Sequence, residues 1–333
     1  MPLFLAFALA AAAPQPAELK TFHDWTIGCD NGRACKAVAL MPEEWPEDGL
    51  TMSVSRGPDA GAPLAIEIVL REEAKPVALA AAGRRLPIRF APSDLGVSID
   101  PADTPAFLAA LRTAASLDLI GAGGARIGTV SLAGATAALL YMDEQQRRLG
   151  TPTALVRKGA AGAVPPPPPL PRVEAAAASA APPRTLSAAE LASIRRKACE
   201  DLDIEETEEP EAVRLDARTS LAMVPLRCWS GAYNMAGQLL VAGDTGGWRP
   251  ALFDVAMGGP DEEGPETVYN AVWEPAERRL TTYMKGRGLG DCGVSQQFAW
   301  DGSRFRLVEQ AEMGECRGST DYITTFRAEV VER

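Results

Sequence analysis

The chain has 333 residues, 47% hydrophobic and 23% charged, with a formal net charge of -11 at pH 7. That length suffices for two domains, each able to bury its own core. The acidic balance and the lack of any basic run exclude nucleic acid as a partner, because that affinity is built from clustered Lys and Arg. No internal segment reaches the roughly 20 apolar residues of a membrane-spanning helix, so no span is expected in the mature chain.

Residues 1–13 (MPLFLAFALAAAA) are a short apolar run ending in small residues, the pattern of a secretory signal peptide, though without a positively charged start. Cleavage is expected after Ala10 or Ala12, and the location periplasmic or secreted. Six cysteines fit that compartment as disulfides. They allow many pairings, among which spacing favours neighbours: Cys29 with Cys35, Cys199 with Cys228, Cys292 with Cys316. A metal site is the rival, but no pair has C-x-x-C spacing, and His23, the single histidine, does not complete a Cys/His set. The expectation is no metal and no cofactor.

Residues 18–158 read as a β-rich domain with two helices. Around Asp30-Asn31-Gly32, a strong turn signal, two short strand-like runs place Cys29 and Cys35 close enough to staple the hairpin. Alternating segments follow at 50–55 and 64–71, with shorter ones at 77–80, 87–90 and 96–99, punctuated by Pro and Gly. Asp103-Thr104-Pro105 starts a helix with Phe107, Leu108 and Leu111 on one face. Strands at 117–120 and 126–132 flank a glycine turn. A second helix over 133–149 places Ala137, Leu140 and Tyr141 inward and Asp143 and Arg147 on the wet side.

Residues 159–184 (GAAGAVPPPPPLPRVEAAAASAAPPR) hold five consecutive prolines, which favour an extended polyproline II rod, and an Ala-Pro remainder too poor in bulky side chains to fold alone. The expectation is a Pro/Ala-rich linker, with a ligand for a proline-reading domain as the functional alternative.

Residues 185–333 open with Ser187-Ala188-Ala189-Glu190, a capping box. That helix carries Leu191 and Ile194 inward and ends near Cys199, before an acidic tract at 200–211. Strand-like runs then come at 220–229, 238–242, 251–256, 267–273, 280–285 and 321–331. Cys292 and Cys316 bracket a further hairpin turning at Asp301-Gly302. Short connections imply an antiparallel meander.

These segments resemble an exported bacterial family catalogued as domain of unknown function 1176. The resemblance rests on DWTIGCDNGRACKA from Asp24, VSLAGATAALLYMDEQQRRLGTPTALVRKG from Val130, RCWSGAYN from Arg227, KGRGLGDCG from Lys285, FAWDGSRFRL from Phe298 and ECRGSTDY from Glu315. The first half is also similar to invasion-associated locus B proteins in its DW-x-x-x-C opening and SL-x-G-x-x-x-AL segment. The resemblance implies a periplasmic or secreted protein without assigned activity, and supplies no catalytic residues.

Candidate chemistry is sparse. A nucleophile needs a neighbouring base, and His23 reads as a solvent-facing strand end. The acidic tract lacks the ligand order and turn glycine of a calcium loop. The most suggestive segment is Lys285-Gly286-Arg287-Gly288-Leu289-Gly290, where glycine amides can converge on an anion beside two cations. Tyr283 and Tyr233 are candidate neighbours for stacking. Of the later aromatics, Trp229 and Trp300 sit in alternating runs and read as core. A glycosidase-type carboxylate pair among Asp244, Asp254, Glu274 and Asp291 depends on separations that sequence does not give.

The expectation is an α+β, β-rich chain of two disulfide-stapled domains, with antiparallel sheets and a few packed helices, joined by the linker. It is expected to be a non-catalytic binding or interaction protein of the cell envelope whose partner is an unknown envelope component or protein. The alternative is a carboxylate-based hydrolase acting on envelope glycan or peptide.

Overall fold

The computed structural model describes residues 13–44, 46–70, 74–199, 208–255 and 267–333. The signal-peptide expectation (but for residue 13), most of the acidic tract (200–207), Arg71 and Ala256 lie outside these residues.

The N-terminal part contains β1 (Lys20–Phe22), β2 (Trp25–Cys29), β3 (Cys35–Ala39), β4 (Met52–Arg56), β5 (Leu64–Val69), β6 (Pro76–Ala81), β7 (Arg84–Arg85), β8 (Phe90–Ser93) and β9 (Gly96–Ile99). It continues with α1 (Thr104–Leu111), β10 (Ser116–Gly121), β11 (Arg126–Ser131) and α2 (Ala135–Gln145). Seven strands form one sheet in the order β1-β2-β3-β4-β5-β9-β8, and four form another in the order β11-β10-β6-β7. All these pairings are antiparallel. Alternation puts Trp25, Ile27, Ala37, Met52 and Ile66 on the face that packs against α1, α2 and β10.

Helix α1 buries Phe107 and Leu111 as the sequence suggests, with Ala110 in place of the partly buried Leu108, whereas α2 buries a face one residue away from the expected one. In α2 the buried residues are Ala135, Ala138, Leu139, Met142 and Asp143, and in α1 they are Phe107, Ala110 and Leu111. Asp143, expected on the wet side, is fully buried because Arg56 on β4 offers it a guanidinium partner at 2.7 Å.

The Pro/Ala-rich segment contributes β12 (Arg172–Ala175), which pairs in parallel with the last strand, β23 (Glu329–Glu332). Val173, Ala175 and Ala176 are buried there. Two-stranded pairing supplies the partner that the segment's own composition lacks.

Beyond it lie α3 (Ala188–Ala198), β13 (Glu211–Arg214), β14 (Thr219–Pro225), β15 (Ala236–Gly243), β16 (Arg249–Pro250) and β17 (Thr267–Tyr269). They are followed by β18 (Val272–Glu274), β19 (Arg279–Lys285), β20 (Gly293–Trp300), β21 (Phe305–Met313) and β22 (Ile323–Arg327). The Ser187–Glu190 capping box is formed on both sides. Strands β13 to β17 make one antiparallel sheet and β18 to β22 a meander. The two close on a core of Leu221, Val241, Leu280, Phe298, Trp300 and Phe305. Phe253 stacks on Phe305 at 5.2 Å and meets Phe298 edge-on at 5.0 Å. The disulfides are Cys29–Cys35, Cys199–Cys228 and Cys292–Cys316. Trp300 is buried as expected, whereas Trp229 sits in a short 3-10 turn, 46% exposed, with its indole N–H donating to Ala198 O.

The two ends of the chain meet. Val38 and Leu40 point away from the N-terminal core and pack with Cys292, Met313 and Ile323. The middle of the first sheet is therefore buried on both faces, which is why every residue of β2 is buried. Each fully buried side chain of this kind is worth roughly 1.5–3 kcal/mol. Ion pairs rim the junction: Lys36 with Asp321 at 2.5 Å, Asp24 with Arg317, and Asp30 with Arg327.

Candidate functional site

Strand β19 delivers Tyr283 and Lys285 to a turn that β20 leaves after Cys292. The Gly286 amide donates to Cys292 O at 2.8 Å, and a Cβ at Gly286 would stand 2.7 Å from the Cys292 sulfur. The Gly290 amide donates to Arg287 O at 2.9 Å, with φ at +68°. These glycines therefore serve the tight turn and the disulfide, and the amides of Gly286 and Gly290 are aimed at carbonyls within it rather than outward.

Arg287 is also held internally. Its Nε donates to Asp291 Oδ1 at 2.7 Å and its Nη2 to Asp291 Oδ2 at 2.5 Å and Cys316 O at 2.9 Å. Burial works to raise the Asp291 carboxyl, but the Arg287 guanidinium and the Gly318 amide outweigh it and hold that carboxyl below its ordinary range.

The other expected residues gather on one surface. The Tyr283 and Tyr322 hydroxyls stand 3.1 Å apart and both reach Gly290 O, at 3.0 and 3.2 Å. Burial, then the bond to Tyr283, pushes the Tyr322 phenol far above its ordinary value, so it remains a neutral hydrogen-bonding group. Lys285 Nζ lies 5.5 Å from the centroid of the Tyr283 ring. Tyr233 covers Gly288, whose Cβ position is 3.3 Å from the ring. Tyr233, Met235 and Leu289 are 39%, 44% and 67% exposed.

Two asparagines hold this surface, and the sequence reading missed both. Asn234 Oδ1 accepts from Lys285 N at 3.0 Å and its Nδ2 donates to Lys285 O at 2.9 Å, so a side-chain amide extends the pairing of β19. Asn270, at φ +47°, separates β17 from β18 where the sequence suggests one strand over 267–273. Its Nδ2 donates to Tyr283 O at 2.7 Å and Asn234 Oδ1 at 3.1 Å, and its Oδ1 accepts from Met235 N at 3.0 Å. An Asn able to adopt positive φ at a strand break was the available signal.

The carboxylates singled out from sequence are dispersed. Asp244 pairs with Arg214 at 2.8 Å, Asp254 with Arg306 at 3.0 Å, and Asp291 with Arg287. Glu274 stands opposite Arg279 in the β18–β19 register. His23 is exposed in the β1–β2 turn. Among the described residues no group of three or more His, Cys, Asp or Glu could hold a metal ion, and no helix is long and apolar enough to cross a membrane.

A cleft of about 550 Å³ separates the first residues of the described chain from β21; Glu18, Thr21, Thr26, Gln310, Glu312 and Glu315 line it. Burial raises the Glu312 carboxyl above its ordinary value. Thr21 Oγ1 donates to Glu315 Oε1 at 2.9 Å. Another cleft, of about 450 Å³, lies beside the Cys29–Cys35 disulfide, and the cations on its wall, Lys36, Arg56 and Arg327, are engaged with Asp321, Asp143 and Asp30.

The chain is similar to an uncharacterized protein, YpfG, of Escherichia coli (strain K12), at 28% identity over 331 residues, 93% of this chain and 91% of that protein. It is also similar to the crystal structure of invasion associated protein b from Bartonella henselae, at 19% identity and a TM-score of 0.28, over 39% of this chain and 99% of that one. A family model described as protein of unknown function (DUF1176) matches residues 19–329, and the chain belongs to that family.

Proposed function

We propose that the chain is an exported, non-catalytic binding protein of the cell envelope, and that its ligand is an envelope glycan received on the surface of Tyr233, Lys285 and Leu289. One observation carries this reading: a loop stapled by Cys292–Cys316 and tied to Asn234 presents an exposed Leu289, and Tyr233, from the segment before β15, lies over its Gly288 while remaining 39% exposed. Neighbouring exposed apolar side chains gathered into one patch on a rigid support mark interaction sites. With Arg287 neutralised by Asp291, Lys285 is the cation of the expected loop whose charge faces a ring, so stacking with one cationic contact fits better than anion capture. Export is supported by the three disulfides and by the apolar run at 1–13.

The test is a thermal-shift titration of the oxidised protein with peptidoglycan fragments and envelope glycans. A ligand at about a hundred times its dissociation constant adds close to 2.7 kcal/mol, a clear rise in midpoint. The rise is expected to vanish in Tyr233→Ala and Leu289→Ser. No shift with any glycan, or a shift unchanged in both variants, overturns the assignment.

A second reading, a carboxylate-based hydrolase, is favoured by the cleft of Glu312 and Glu315. Burial keeps Glu312 in its acid form to higher pH than an ordinary glutamate, the state a general acid needs, and Glu315 places a second carboxyl on the same cleft. Turnover of chromogenic glycosides or peptidoglycan that is lost in Glu312→Gln would establish it; no turnover by the wild type removes it.

A further inference from the structure

We propose that residues 165–172 form a proline ridge that docks a partner domain through a groove lined with aromatic rings and bearing an acidic group at one end. Five consecutive prolines, Pro165 to Pro169, fix φ and leave no N–H to donate, so the stretch takes the polyproline II form with three residues per turn.

Burial along the segment follows that repeat. Val164, Pro167 and Leu170 are half-buried and Val173 is buried, so every third residue faces the protein, with Pro168 half-buried beside them. Leu170 lies over the β2–β3 turn, 3.0 Å from where a Gly32 Cβ would stand. Both ends are pinned. The Gly159 and Ala161 amides donate to Thr151 O and Gly150 O, and the Glu329 amide donates to Pro171 O where β12 joins β23.

What remains outward is a continuous row. Pro165, Pro166, Pro169 and Pro171 are exposed. Arg172 stands a turn beyond Pro169, its side chain 66% exposed and paired with Glu329 at 3.4 Å, itself 59% exposed. An ion pair that wet leaves the guanidinium available to a partner's carboxylate. Aromatic-lined grooves accept the ridges of a polyproline II rod, and a cation at one end of the rod complements an acidic group at that end of the groove. A rod already ordered on the protein surface loses little conformational freedom on binding.

The experiment titrates the purified full chain, and a peptide of residues 163–174, with isolated proline-binding modules of the WW and Src-homology-3 classes. At least one module is expected to bind the full chain no more weakly than the peptide. Pro166→Ala combined with Pro169→Ala should weaken that binding about tenfold or more, and Arg172→Gln, which avoids a like charge opposite Glu329, should weaken it as well, while the protein stays folded with only a small fall in thermal midpoint from the freer unfolded chain. The proposal is overturned if no module binds, if the double proline variant binds as the wild type does, or if modules take the peptide and refuse the full chain.

Discussion

Arg287 grips Asp291 through two nitrogens, at 2.7 and 2.5 Å, across a single turn of chain, and the Asp291 carboxylate also accepts the Gly318 amide at 2.7 Å. The pair thereby joins the turn before β20 to the segment after Cys316. A cation that sequence offered to a ligand is a structural tie.

Replacing Arg287 with Ala should therefore act on stability, by about 1–3 kcal/mol, less than for a fully buried pair because Arg287 is 37% exposed on its side chain. The pH dependence has a definite sign. The folded Asp291 carboxyl lies below its ordinary value of 3.8, so the stabilisation is complete above about pH 4 and is lost as pH falls through the folded value. Urea denaturation of wild type and variant at pH 7 and pH 3 should show a gap that narrows in acid. An equal gap at both pH values would contradict the assignment.

The Arg56–Asp143 pair should be the costliest to break. Both side chains are almost completely buried, at 3% and 0% exposure, and the second Asp143 oxygen accepts the Leu155 and Val156 amides. Burial pulls the Arg56 pKa down and Asp143 opposes it. Asp143→Ala leaves a guanidinium uncompensated in the core, at a cost of about 3–5 kcal/mol. A denaturation midpoint close to that of the wild type would refute this.

Glu312→Gln should stabilise the protein at pH 7. Burial raises the folded Glu312 pKa above the ordinary 4.5, so ionisation opposes folding at neutral pH and ceases to do so below the ordinary value. The variant's thermal midpoint should exceed that of the wild type at pH 7 and equal it near pH 4. A variant less stable than the wild type at pH 7 would show that the carboxylate has a favourable partner.

Asn234→Ala should loosen the binding surface. Its amide makes both hydrogen bonds of the Lys285 backbone to this element, and removing them leaves a part-buried N–H and C=O to find water, at about 1–3 kcal/mol. Amide exchange at Lys285 should accelerate while exchange in β2 and β3 stays slow. Uniform acceleration throughout would mean that Asn234 supports the whole fold.

Much of the fold was legible because its signals are local. Asn31-Gly32 and the flanking cysteines specify the first stapled hairpin, Ser187 and Glu190 the start of α3, and Asp301-Gly302 the turn before Phe305. The face of α2 was misplaced by one residue because that helix is rich in Ala and Leu nearly all round, so periodicity says little about which side is buried, whereas the bulkier Phe107 and Leu111 marked the buried face of α1. Trp229 looked like a core residue from its alternating run, but that strand ends at Pro225.

The sequence by itself determined that this is a β-rich, disulfide-stapled chain of the DUF1176 family, since turn chemistry, strand alternation and cysteine spacing each act over a few residues. Only the tertiary structure decided which charges are spent. Arg287 looks available to a ligand and Asp143 solvent-facing until Asp291, itself tied to the Gly318 amide, engages the first and Arg56 from β4 buries the second. It also decided that the proline segment lies against the protein and that β2 and β3 are covered by the C-terminal hairpin, because the contacts that bury Val38, Leu40 and Ile323 join residues hundreds of positions apart, where no local pattern records the pairing.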